Sequence, residues 1–196
     1  MTNEYAELKQ ELQRLGVDVL QVMYADVLGM ARSKYVLTNE LEKGLGHGPS
    51  FCQGVWVTTN RGGVLDAGNI ASDGLQDFVT KVGTSSVRKV PYEAGIACTV
   101  VDAFNPDSSE NQFAPRTVLK KIIQGYAKHG LIPVVGPELE FYFAKQVDGN
   151  YSRTHENVGF VYTTGSMVDP NGTFLRALRA IDQMNLGAFA GNHEFS

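Results

Sequence analysis

Residues 115–145 constrain the fold most: "PRTVLKKIIQGYAKHG" runs without a spacer into "LIPVVGPELEFYFAK". The first stretch predicts an amphipathic helix. Pro115 suits the first helical position, where its missing N–H is no loss. Val118, Ile122, Ile123 and Tyr126 form its apolar stripe, and Gly130 supplies a stop. The second stretch predicts a strand. In a strand, Glu138, Glu140 and Tyr142 share one face, while Leu139, Phe141 and Phe143 share the other. Two carboxylates in so apolar a segment are costly to bury unless something compensates their charge.

The rest of the chain alternates helix and strand without a repeated βαβ unit. Leu8, Leu12 and Leu15 recur at helical spacing in residues 3–16, closed by Gly16. Residues 17–26 and 33–37 predict strands around a "VLGMAR" turn, and 38–45 a short helix with Asn39 and Glu42 as a capping pair. The glycines of "GLGHGPSFCQG" mark a loop over 44–54, and 55–60, 62–67 and 97–104 predict further strands. This is an α+β pattern. The polar, turn-rich "NPDSSENQFAP" marks a boundary, dividing the chain into domains 1–107 and 108–196. Beyond the strand at 134–143, a polar loop covers 146–159. A helix over 172–185 follows, with Leu175, Leu178 and Ile181 on one side. A last strand closes the chain, with Asn192, Glu194 and Ser196 on one face. No helix or closing loop follows it, so the second domain is expected to be a fragment.

Composition narrows the function classes. With 196 residues, 43% hydrophobic and 19% charged, the chain can bury a real core. A net charge of −4 gives no nucleic-acid footprint and no membrane-surface patch. The apolar runs are too short to span a bilayer, and the polar N-terminus has no signal-peptide character. Cys52 and Cys98 form no Cys-x-x-Cys pair and no disulfide framework, which fits a reduced, cytoplasmic setting.

Glu138 and Glu140 on one strand and Glu194 on another make a possible oxygen-rich site. Hard cations such as Mg²⁺ or Mn²⁺ prefer carboxylate oxygens, and a metal would remove the charge penalty. A solvent-facing strand, or pairing of one glutamate with Arg or Lys, explains the same spacing. E-x-E alone does not decide between them.

Three motifs in order are similar to the glutamine synthetase family, in its bacterial-type branch of glutamate–amine ligases. "YADVLGMARSKYV" resembles the family's D-x-x-G-x-x-R-(G/S)-K hairpin, "GPELEFYF" its E-x-E-F-(F/Y) metal strand, and "GNHEFS" the start of its H-H-E-x-x-x-G-Q-x-E motif. The resemblance implies a β-grasp-like N-terminal domain followed by the incomplete start of a catalytic α/β barrel. It implies that Glu138 binds the metal nearest the nucleotide phosphates, Glu140 the metal on the amino-acid side, and Glu194 a metal as well. It further implies Mg²⁺ or Mn²⁺ as cofactor, with ATP, glutamate and an amine as substrates. ATP phosphorylates the γ-carboxylate of glutamate, and the amine then displaces phosphate. A homo-oligomer is implied too, in dodecameric rings. The family's remaining ligands, substrate arginines and most nucleotide contacts would lie past Ser196, so the 196-residue chain alone is expected to be inactive.

Ammonia-using members carry an F-D-G-S type loop whose aspartate helps bind ammonium. Here the matching "SFCQGVW" puts Cys52 or Gln53 in that place. A thiol or amide favours a cation less than a carboxylate does, which points to a larger amine such as a polyamine or ethanolamine. The alternatives are an ammonia-using enzyme and a non-catalytic regulatory paralogue. Among other residues, "GLGHG" lacks phosphate-loop spacing, and Arg32 and Lys34 suit fold or subunit contacts. His155 and Glu156 fall in a polar loop, His193 suits packing, and Tyr162 and Asp169 are weak candidates for lining the site.

Overall fold

In a computed structural model, residues 2–154 and 161–194 are described. The chain forms two compact units, Met1–Pro133 and Val134–Ser196. The first begins with helix α1 (Thr2–Arg14), strands β1 (Val19–Ala25) and β2 (Ala31–Leu37), and the short helix α2 (Leu41–Leu45). Strands β3 (Ser50–Cys52), β4 (Asp77–Lys81), β5 (Arg88–Lys89), β6 (Ile96–Val100) and β7 (Asp102–Phe104) follow, and helix α3 (Pro115–Ala127) comes last. Four strands make a mixed sheet in the order β2-β1-β6-β5, and three make a second sheet in the order β3-β4-β7. In the first sheet the central β1 and β6 run parallel, and both outer pairs are antiparallel.

The core follows from alternation on these strands. Leu20, Val22 and Tyr24 of β1 turn inward with Ala97 of β6 and Phe78 of β4, and α1 closes the layer with Leu8 and Leu12. At one end four rings meet. Tyr24 stands edge-on to Phe51 and Phe78 at 4.9 and 5.4 Å, and Trp56 packs on Phe78 at 4.8 Å. Such contacts add to plain area burial.

Several local expectations give way to tertiary structure. The predicted strand 55–60 is instead a 3-10 turn over Gln53–Val57, because the Cys52 thiol caps it and Trp56 is drawn into the aromatic cluster. Residues 62–67 contribute only an isolated bridge, Thr58 to Val64. The run 97–104 is two strands in two different sheets, with buried Val101 between them. Strand β4 lies in a stretch for which no strand is predicted; pairing with β3 and β7 and burial of Phe78 and Thr80 make it a strand. The expected Asn39–Glu42 capping pair does not form: Thr38–Glu40 is a 3-10 turn, and neither it nor α2 has a side-chain cap.

The second unit contains a hairpin of β8 (Ala144–Val147) and β9 (Asn150–Arg153), which begins at the end of the expected strand and runs into the stretch 146–159 expected to be a loop. Asp148 and Gly149 both take positive φ at its two-residue turn, as a tight hairpin requires. Helix α4 (Thr173–Gln183) follows. Residues 131–143, expected to be a strand, carry no strand pairing. Extended backbone becomes a strand only when a neighbour completes its hydrogen bonds, and no described strand lies alongside. Val134 and Leu139 are 92% and 79% exposed.

Candidate functional site

The three candidate carboxylates all belong to the second unit. Glu138 and Glu140 are exposed on the unpaired segment, and neither has a hydrogen-bond or ion-pair partner among the described residues. Of the two readings that need no metal, pairing with Arg or Lys has no counterpart among the described residues, whereas a solvent-facing segment agrees with the exposure of both side chains. The segment is fixed at its far end, where the Thr154 backbone N–H and hydroxyl both donate to the carbonyl of Phe143, at 3.2 and 3.3 Å. Phe141 and Phe143 meet edge to face at 5.3 Å, and the Arg153 guanidinium stacks over Tyr142 at 5.4 Å.

Glu194 lies on a segment placed by α4. The Asp169 carboxylate accepts from the backbone N–H groups of Thr173 and Phe174, at 2.7 and 2.9 Å, and so caps the helix. The ring of Phe174 lies against Gly191, where no side chain would fit. Beyond it, the Asn192 amide donates to Glu194 Oε1 at 2.6 Å, and the Tyr162 backbone N–H donates to the His193 carbonyl at 2.8 Å. Asp169 is thus engaged with the start of α4, and Tyr162 is exposed. His155, Glu156 and Ser196 lie outside the described residues.

Among the described residues, no group of three or more His, Cys, Asp or Glu side chains is close enough to hold a metal. The donor set still suits a hard cation. All three side chains are carboxylates, and those of Glu138 and Glu140 are unengaged among the described residues.

The matched hairpin in the first unit is a structural device. Asp26 Oδ1 accepts from the backbone N–H groups of Leu28 and Met30, both at 2.9 Å, and Oδ2 accepts from Arg32 Nε at 2.8 Å. Gly29 turns the chain at φ 77°. The Asp and Arg of D-x-x-G-x-x-R are thus two ends of one turn clamp, and a short polar residue two places before a turn amide was the sequence signal for it. Lys34 donates to the Ser50 carbonyl at 2.5 Å and lies 5.0 Å above the Phe51 ring. Both basic residues therefore serve the fold. In the adjacent loop, Cys52 Sγ accepts from Gly54 N–H at 3.3 Å and donates to the Leu75 carbonyl at 3.5 Å. The loop presents no carboxylate at either Cys52 or Gln53.

Residues 112–189 match the family model of the glutamine synthetase catalytic domain, a span that includes Glu138 and Glu140 and ends before Glu194. The chain is similar to the glutamine synthetase family, with the family model matching its second half. It is 23% identical over 141 residues to type-1 glutamine synthetase 2 of Dictyostelium discoideum, covering 71% of this chain and 26% of that protein. It is 27% identical over 128 residues to the gamma-glutamylethanolamide synthetase GlnA4 of Streptomyces coelicolor, covering 64% of this chain and 28% of that protein. Among solved structures, apo GmaS superposes with a TM-score of 0.70 at 15% identity, over 96% of this chain and 42% of the other. Plasmodium falciparum glutamine synthetase does so with a TM-score of 0.64 at 18% identity, over 98% and 42%. The likeness in fold therefore runs through nearly the whole chain, which spans about a quarter of the length of the first curated relatives.

Proposed function

We propose that this sequence is the N-terminal part of an ATP-dependent ligase that activates the γ-carboxylate of glutamate and joins it to an amine. The observation that carries this reading is the catalytic-domain match over residues 112–189, which holds two unpaired carboxylates in E-x-E spacing. In this reading Glu138, Glu140 and Glu194 hold Mg²⁺ or Mn²⁺, with Glu138 toward the nucleotide phosphates and Glu140 toward the amino acid. The metal, when bound, neutralises phosphate charge and orients the reacting oxygens. GmaS has been solved with ADP, which supports a nucleotide as co-substrate here. Residues 1–107 make a β-grasp-like domain, a reading supported by the mixed sheet with its parallel central pair. Residue 108 begins the catalytic domain, in keeping with a match that starts at 112.

The amine is proposed to be larger than ammonia. The loop around Cys52 offers no carboxylate to attract ammonium, and its thiol is turned to the backbone. One curated relative is named for an ethanolamide product. Ammonia as the substrate is favoured by the glutamine synthetases among the relatives. Both versions take glutamate and ATP as partners and assemble as a homo-oligomer, with rings as in the family.

The test is phosphate release and amide formation by the full-length protein carrying this sequence, given ATP, glutamate, Mg²⁺ and, in turn, ammonium, methylamine, ethanolamine and putrescine. The expected result is turnover with an alkylamine well above that with ammonium. Glu138→Gln should lower it at least about 100-fold, beyond the loss typical of outer-shell partners. Equal or better turnover with ammonium overturns the amine assignment, and an unaffected Glu138→Gln variant overturns the metal assignment. The 196-residue chain alone should release no phosphate in the same assay.

A further inference from the structure

We draw no further inference here: the strongest candidate, the exposed apolar stripe of α3 formed by Val118, Leu119, Ile122, Ile123 and Tyr126, carries nothing because no feature of the structure shows what covers it.

Discussion

At the scale of single residues, charge and hydroxyl burial give the sharpest expectations. The Asp26 side chain is fully covered, whereas its partner Arg32 is 39% exposed. Burial pushes the Asp26 carboxyl up, but hydrogen bonds from Arg32, Met30 and Leu28 outweigh it and hold the group below its ordinary value. A depressed folded-state pKa contributes stability above the unfolded value, lost as pH falls through the folded one. Urea midpoints should therefore drop as pH falls below about 4, and Asp26→Asn should flatten that dependence. Asp26→Ala should cost about 3 kcal/mol, since it strands two backbone donors and a guanidinium. Tyr24 behaves oppositely. Its buried hydroxyl has no hydrogen-bond partner among the described residues, and burial pushes its pKa up to about 12. A raised pKa gives stability present below pH ~10 and lost as pH rises toward the folded value. Tyr24→Phe should thus be neutral or stabilise by up to about 1 kcal/mol at pH 7, and should remove the loss at high pH. Thermal melts at pH 7 and pH 11 check both.

At the scale of elements, glycines separate turns that need only conformation from those that also need space. Gly29 sits at φ 77° in the hairpin turn with open space beside it, whereas Gly48 sits at φ 75° against the Thr80 carbonyl. Gly29→Ala should cost about 1 kcal/mol, the ordinary penalty of a left-handed non-glycine residue. Gly48→Ala should cost more, because Thr80 is held in place by pairing in β4 and by its hydroxyl bond to Pro49. Denaturant unfolding of the two variants compares them directly; equal losses would mean that the Thr80 backbone yields freely. The same contrast shows how much of each element was legible in sequence. Helices α1, α3 and α4 were readable because their apolar spacing or end signals are local. Strand β4 and the turn at Gln53–Val57 were not, because partners far along the chain decide them.

At the scale of the molecule, burial is very unevenly shared. The core cluster lies wholly in the first unit, and Val168 is the only buried residue among the described residues of the second. Phe189, near the end of the second unit, is 98% exposed. Trp56 is the chain's single tryptophan and is buried in that core, so its fluorescence reports unfolding of the first unit alone. The sequence by itself determined the α+β alternation, the turn between β1 and β2 and the positions of the three carboxylates, because spacing, turn chemistry and residue type act locally. Only the tertiary structure decided which extended runs became strands and which joined which sheet. The segment bearing Glu138 and Glu140 makes the difference plain. Its alternation is written in the sequence, but pairing and burial need neighbours that no local pattern supplies.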